Sequence, residues 1–446
     1  MTVQGSTKPR PGTGIGLLTT RIRQQIIDAM DLGKASLLGE TELRKQVEAL
    51  SVHLCEKQEI GLVGPEKDDL VQHIIDEIYG LGPLQSLLDD SRVSAIIVNG
   101  FNNVQVERDG SVEKTPVSFG DDTHLLRFIQ RTVARSGRRI DEASPIAEVQ
   151  LEDGSLFHAV VPPLAVKGPT LTIRRFGQQQ LTLQDMVKLG SLAPQMADFL
   201  SLAIQNRANV IFSGGAGSGK TTLLNNLSGF IPKGQRVVTI ERTAELRLQQ
   251  PDVVSLQTRL PNVDGKGGVS SRDLLRSALR MQPDRIVVGE TIGEEVLDML
   301  QAMNTGQHGS MSTTHANDSA DALERLELMA CLAGPEVGEQ AVRRFIARAV
   351  DFVVHTTRLS TGERKVTRIS ELRGLHEGEY TFEDIFVYRQ SGVDDSFKSA
   401  GSFYATGYEP LSTKTAVGSV VTPKQYRELF VPRELSTGGE YKPAFQ

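Results

Sequence analysis

The sequence predicts an α/β protein with a mainly parallel sheet, preceded by a smaller α/β domain and a helical N-terminal extension. Two observations predict this class. Apolar strands alternate with helical patterns through NVIFS, RVVTIE, DRIVVGE and GSMSTTH, a rhythm typical of βαβ units. A glycine-rich loop also joins the first of these strands to a helix. At 446 residues the chain exceeds one ordinary domain, so we expect two or three folded units.

Shifts in composition divide the chain into five segments. Residues 1–64 are predicted to form a disordered arm and a helical extension, because Gly, Pro, Thr and Lys dominate the start and helical spacing follows. A small α/β domain is expected over 65–176, and the polar GQQQ of 177–180 is interpreted as a linker. A larger α/β domain, which contains the glycine-rich loop, is assigned to 181–430, and 431–446 is interpreted as a loose tail.

Within 65–176 the elements follow from turn residues and periodicity. VSAIIVNGFNNVQVERDG predicts two strands joined near Asn99-Gly100, and HLLRFIQRTVARSGRR predicts a helix that ends at Gly137. A hairpin is expected across Asp153-Gly154. Beyond about Gly374 the sequence predicts short strands and Gly/Ser turns.

Composition restricts the class of protein. The formal net charge of −6 argues against a dedicated nucleic-acid binder. Cys55 and Cys331 are far apart and favour two isolated thiols in a reducing compartment. No signal-peptide core and no apolar run near the ~18 residues that span a bilayer is evident. We therefore expect a cytoplasmic protein that can still dock on a membrane complex.

A phosphate-binding loop is the most specific motif. The pattern G-x-x-x-x-G-K-[ST] is complete between an apolar strand and a helix. Backbone N–H groups of such a loop turn around phosphate oxygens, Lys220 would reach the β- and γ-phosphates, and Thr221 would place its hydroxyl on Mg²⁺. No Asn-Lys-x-Asp motif for guanine occurs, so ATP is favoured. The predicted nucleotide contacts are Gly214, Gly215, Ala216, Gly217, Ser218, Gly219, Lys220, Thr221 and Thr222.

Chemically suitable side chains end three of the predicted strands. Ligands of open α/β sheets bind outside the carboxyl ends of the strands, where Glu241, Glu290 and His315 are expected. Glu290 is predicted to order Mg²⁺ or the attacking water, Glu241 is the second candidate base, and His315 would sense the γ-phosphate. The alternative for each carboxylate is a solvated surface group, and a lone His is more often structural. His308, before the same strand, is the weaker histidine candidate.

These motifs resemble the ATPases that power type II secretion and type IV pili, most closely the CpaF-type ATPases of tight-adherence (Flp) pili. The matching stretches are GGAGSGKTTLLN, VVTIERTAELRLQQP, LRMQPDRIVVGE and LDMLQAMNTGQHGSMSTTHAN, with YGLGPLQSLL, SGRRIDEASP and GPTLTIRRF in the small domain. The resemblance implies a RecA-like domain that binds ATP and Mg²⁺, a hexameric ring, and an inner-membrane platform protein as partner, with the protein peripheral at that membrane. It also implies phosphate-facing arginines among Arg138, Arg139, Arg174 and Arg175.

The sequence departs from the family pattern at three positions. Arg242 follows Glu241 where Asp is usual, Ile292 stands where an Arg is common after Glu290, and Gln307 replaces a common His. One hypothesis is that Arg242 supplies the positive charge missing at Ile292. The same changes keep open a second function, a nucleotide-gated assembly module with little hydrolysis. A DNA motor is a third reading, disfavoured by the acidic balance.

Overall fold

The computed structural model describes residues 40–57, 68, 71–72, 74–76, 80–108, 111–175, 181–261, 265–393, 399–418, 420–437 and 441–444. The chain forms two compact units, Met1–Gln178 and Gln179–Gln446. The predicted arm, the helical pattern over 17–39 and the 177–180 linker lie outside the described residues. Among the residues described, no helix is both long and apolar enough to span a bilayer.

The described part of the first unit contains a six-stranded antiparallel sheet in the order β3-β2-β1-β6-β5-β4. Helix α3 (Asp122–Arg135) packs on this sheet. The helix begins after Asp121, whose side chain accepts a hydrogen bond from the backbone N–H of His124. The predicted hairpin across Asp153-Gly154 and the Asn-Gly connection are confirmed. The elements are α1 (Glu40–Lys57), α2 (Gln85–Asp89), β1 (Val93–Asn99), β2 (Val104–Arg108), β3 (Ser111–Lys114), α3 (Asp122–Arg135), β4 (Ile146–Gln150), β5 (Leu156–Val160) and β6 (Thr170–Arg174).

The second unit, over its described residues, has one ten-stranded mixed sheet in the order β16-β15-β14-β13-β12-β7-β11-β10-β8-β9. The six strands from β12 to β9 in this order are mutually parallel, so the predicted βαβ strands NVIFS, RVVTIE, DRIVVGE and GSMSTTH are confirmed as parallel neighbours. The strands are β7 (Val210–Gly214), β8 (Val237–Glu241), β9 (Val253–Gln257), β10 (Arg285–Val288), β11 (Met311–His315), β12 (Phe352–Arg358), β13 (Arg364–His376), β14 (Glu379–Val393), β15 (Ser399–Ala405) and β16 (Arg433–Leu435).

Helices cover both faces of this sheet, which explains why β7, β8, β10 and β11 are buried along almost their whole length. Alternate residues of β7 point to opposite cores: Phe212 packs with α5 and α6, and Ile211 packs with α8 and α9. The helices are α4 (Leu183–Lys188), α5 (Pro194–Gln205), α6 (Lys220–Ser228), α7 (Ser271–Ala278), α8 (Glu295–Asn304), α9 (Ser319–Ala333), α10 (Glu339–Ala349) and α11 (Pro423–Phe430).

The C-terminal part differs from the prediction of short strands. β13 and β14 are 13 and 15 residues long and pair through the turn at Glu377-Gly378, where both residues have positive φ. Register shifts interrupt β13 near Leu372 and β14 near Gln390. Because a bulge reverses the inward and outward alternation, the period that identifies a long strand is lost from the sequence.

The interpretation of 431–446 as a loose tail is wrong for its described residues. β16 pairs antiparallel with β15, and Tyr441 is buried at 4% exposure, with its hydroxyl donating to Asp198 Oδ1 at 2.9 Å. A strand of three residues is too short to give a periodic signal, so this pairing had no sequence signature.

Candidate nucleotide-binding site

The phosphate loop begins where β7 ends at Gly214 and stops where α6 begins at Lys220. Gly214, Gly217 and Gly219 all have positive φ, at 148°, 66° and 99°. These conformations are strained for residues with a Cβ, which is why the loop needs glycine there. Residues 215–217 are exposed, so this part of the loop faces solvent rather than the core.

Lys220 is a buried cation at the centre of the loop. Its side chain is 7% exposed, and Nζ donates to the carbonyl oxygens of Gly214 and Gly215, each at 2.9 Å. Burial lowers the pKa of Lys220, while the nearby negative charge of Glu290 raises it. A buried ammonium group held by neutral carbonyls gains stabilisation from a further anion, which a phosphate group would supply.

The loop is fastened to β12, a strand that lies beside β7 opposite β11. Ser213 Oγ lies 2.9 Å from His355 Nδ1, and Ser218 Oγ lies 2.8 Å from Thr356 Oγ1. Burial lowers the pKa of His355, which favours the neutral ring. These partners were missed by sequence reasoning, although FVVHTTR is an apolar run whose carboxyl end falls on the ligand edge.

Glu290 and His315 are brought together by the parallel register. Thr291 N donates to Thr313 O at 2.8 Å, which aligns the residues after β10 with the end of β11. As a result His315 Nε2 lies 2.8 Å from Glu290 Oε1. Both side chains remain partly exposed, at 42% for His315 and 37% for Glu290. The imidazole therefore orients the carboxylate and leaves it open to solvent.

Glu241 lies at the end of β8 in a more buried position. It is 5% exposed, and Oε1 accepts hydrogen bonds from the backbone N–H groups of Glu245 and Leu246, each at 2.9 Å. A Cβ added to Gly289 would lie 2.8 Å from Glu241 Cγ, so the glycine before Glu290 makes room for this side chain. Burial raises the pKa of Glu241 to about 7, a value suited to a general base near neutral pH.

The raised pKa of Glu241 predicts a pH dependence of stability for the nucleotide-free protein. The folded state holds this proton more tightly than the unfolded chain, whose carboxyl has its ordinary value of 4.5. Stability from this group is therefore lost as pH rises from about 4.5 to about 7, by about 3 kcal/mol relative to Glu241→Gln. Chemical denaturation of both proteins at several pH values measures it. A pH-independent difference between them would contradict the prediction. So would the exposed control Glu324→Gln, if it altered the pH dependence as much as Glu241→Gln does.

The remaining predicted residues are placed as follows. Thr221 and Thr222 lie in the first turn of α6 and are half-buried. Arg242 is exposed after β8, and Ile292 is 43% exposed, with its N–H donating to Glu295 Oε1 at 2.8 Å. The charge exchange between Arg242 and Ile292 stays a hypothesis. His308 precedes β11 and lies at the sheet edge opposite His315.

The four arginines of the first unit differ in their partners. Arg138 donates to the backbone oxygen of Glu148, and Arg139 forms an ion pair with Asp141. Arg175 Nη1 donates to the backbone oxygen of Asp90 at 2.6 Å. Arg174 is exposed at the end of β6. A role of any of the four at a phosphate stays a prediction.

The side chains at the carboxyl edge of the second unit fit ATP with Mg²⁺. The loop presents exposed residues and one buried cation. Thr221 and Glu290 remain the predicted oxygen ligands of the metal ion. In the described part of the chain no cluster of three or more His, Cys, Asp or Glu could hold a metal ion. Mg²⁺ commonly takes one or two protein ligands and completes its shell with phosphate oxygens and water.

Comparison with known proteins shows a matching family and several similar proteins. A family model described as type II/IV secretion system protein matches residues 77–402. A Mycobacterium tuberculosis protein, provisionally named for conjugal transfer, is 35% identical over 303 residues, which cover 67% of this chain and 86% of that protein. The type IV secretion system protein VirB11 of Bartonella henselae is 28% identical over 330 residues, covering 65% and 91%. The crystal structure of the VirB11 ATPase from Brucella suis, in complex with sulphate, is 29% identical, covers 65% and 96%, and has a TM-score of 0.36.

Proposed function

Because the chain belongs to the type II/IV secretion system protein family, we propose that it is an ATP-hydrolysing motor of a pilus or secretion machine. The observation that carries this proposal is the arrangement of Lys220 in the glycine loop with the Glu290–His315 pair on the neighbouring strand ends. A loop alone supports binding of a nucleotide. The ordered, solvent-accessible carboxylate beside it supports hydrolysis.

The proposed chemistry is attack of water on the γ-phosphorus with ADP as leaving group. Glu290 accepts the proton of the attacking water, and His315 holds the carboxylate in position through the 2.8 Å contact. Lys220 neutralises charge on the β- and γ-phosphates, and the N–H groups of the loop hold the phosphate chain. Thr221 and Glu290 would hold Mg²⁺, which would supply further charge neutralisation at the phosphates. Glu241 is the second candidate for the general base.

The finer parts of the proposal rest on motif resemblance. They are a RecA-like second unit within 181–430, a CpaF-type role in tight-adherence pili, a hexameric ring, and an inner-membrane platform protein that the cytoplasmic ring contacts peripherally. In such a ring Arg138, Arg139, Arg174 and Arg175 would face the phosphates. Of these, Arg139 and Arg174 are exposed and Arg138 and Arg175 are half-buried.

The deciding variant is Lys220→Ala in the full-length chain. We expect loss of steady-state ATP hydrolysis and of nucleotide binding, because the loop loses its only buried cation among the residues described. Lys188→Ala, an exposed lysine at the end of α4, is the matched control and leaves both unchanged.

Two outcomes would contradict the proposal. Equal hydrolysis by wild type and Lys220→Ala would remove the loop from the reaction. The mass of the wild-type chain, measured at micromolar concentration with and without a non-hydrolysable ATP analogue, tests the ring. A monomer in both conditions would contradict it.

A further inference from the structure

We propose that Arg358 and Arg364 bind the α-phosphate and ribose end of the nucleotide, on the side of the phosphate loop opposite Glu290 and His315. The inference rests on the proposed function, because it deepens the description of the same ATP site. It assigns nucleotide contacts to the β12–β13 hairpin of the same chain.

Both arginines lie against the phosphate loop. Arg364 Nε donates to the carbonyl oxygen of Gly217 at 2.8 Å, and its Cδ would lie 3.6 Å from a Cβ added to Gly219. Arg358 Nη1 would lie 3.8 Å from a Cβ added to Gly217. The two guanidinium groups therefore flank the exposed apex of the loop and are themselves exposed.

The charge arrangement of the hairpin favours an anion. Arg358 and Arg364 are direct cross-strand partners in the register of β12 and β13. Like charges placed directly opposite each other in an antiparallel pair are destabilising. An anion between or beside them would relieve that repulsion and accept charge-assisted hydrogen bonds.

The acidic residue of the hairpin is engaged elsewhere. Glu363 accepts a hydrogen bond from Ser399 N at 2.6 Å and from Thr361 Oγ1 at 3.2 Å, and it lies 3.3 Å from Lys365 Nζ. Its carboxylate is thus directed to β15 and to Lys365. Among the residues described, this carboxylate does not neutralise the arginine pair, which leaves the pair available to an anionic ligand.

The position in the sheet determines which end of the nucleotide the pair would meet. β12 and β13 lie on one side of β7, whereas β11 and β10 lie on the other. The γ-phosphate is assigned to the side of Glu290 and His315, where hydrolysis is proposed. A phosphate chain that runs from that side across the loop would place its nucleoside end toward β12, where Arg358 and Arg364 lie.

The test is equilibrium binding of ADP and of a non-hydrolysable ATP analogue to the full-length chain by calorimetry. We expect Arg358→Ala and Arg364→Ala each to lower the affinity for both nucleotides by about tenfold, because a hydrogen bond to a charged group is lost. The factor should be the same for ADP and for the analogue, since both contain the α-phosphate and ribose. Arg389→Ala is the matched control: this exposed arginine lies on β14, with its guanidinium over the Tyr404 ring.

The outcomes separate this inference from the proposed function. Variants that bind both nucleotides as tightly as wild type would overturn the arginine assignment and leave the ATP site intact. Weakening of the triphosphate analogue alone would place the pair at the γ-phosphate and also overturn it. Failure of wild type to bind either nucleotide would overturn both proposals. Arg364→Lys keeps the charge but not the planar fork, so it should restore only part of the affinity.

Discussion

Replacement of Glu290 by Gln is expected to lower the rate of ATP hydrolysis by about 10²- to 10⁴-fold, the usual contribution of a positioned general base. Nucleotide affinity should stay close to that of wild type, because Gln keeps the shape of the side chain and the loop residues are untouched. The carboxylate is accessible to water and held by His315 at 2.8 Å, as proton acceptance requires. Steady-state phosphate release and calorimetric binding measure the two effects.

Glu294→Gln is the control for this variant. Glu294 lies four residues after Glu290 in the chain, its side chain is 70% exposed, and it pairs with Arg272. Its replacement should therefore leave hydrolysis unchanged. Equal and negligible rates for wild type and Glu290→Gln, with a membrane partner present, would favour the nucleotide-gated assembly module. Arg242 and Ile292 are the departures that keep this alternative open.

Replacement of Gly214 by Ala is expected to destabilise the folded protein by about 4 kcal/mol or more, in the range of severe core substitutions. Gly214 has φ of 148°, and an added Cβ would overlap the carbonyl oxygen of Thr356 and lie 2.6 Å from Ser218 Oγ. The backbone of β12 cannot move away without breaking its ladder with β7. Thermal unfolding should show a lower Tm, by roughly 10 °C.

Gly215→Ala provides the matched comparison, because a Cβ at the next position meets no heavy atom within 4 Å. Its Tm should stay close to that of wild type. If both variants unfolded at the same temperature as wild type, the close approach of β7 and β12 would not limit the residue at 214.

Much of the candidate site could be predicted because its polar side chains lie at the carboxyl ends of strands that the sequence identifies. Glu241 ends an apolar strand, Glu290 follows another, and His315 ends a Ser/Thr-rich strand. Parallel strands bring their carboxyl ends to one edge of the sheet. The fixed spacing of the glycine-loop motif also identified Lys220. For these residues local sequence and topology give the same answer.

The remaining contacts of the site could not be predicted, because they depend on the register of strands that are far apart in the sequence. The contact between Glu290 and His315 depends on the alignment of β10 with β11, which periodicity does not specify. His355, Arg358 and Arg364 have no motif of their own and reach the loop only because β12 pairs with β7. The bulges of β13 and β14 removed the alternation that would have predicted their length.

The pairing of Ser213 with His355 also has a consequence for how the protein is made. The two residues are 142 positions apart in the chain, so the phosphate loop leaves the ribosome long before the strand that supports it. At the usual pace of synthesis the delay is roughly 7–30 s. Until β12 is added, β7 is a newly exposed apolar edge whose natural neighbour has not yet been translated. During that interval a nascent chain has the loop sequence but lacks the strand that supports it.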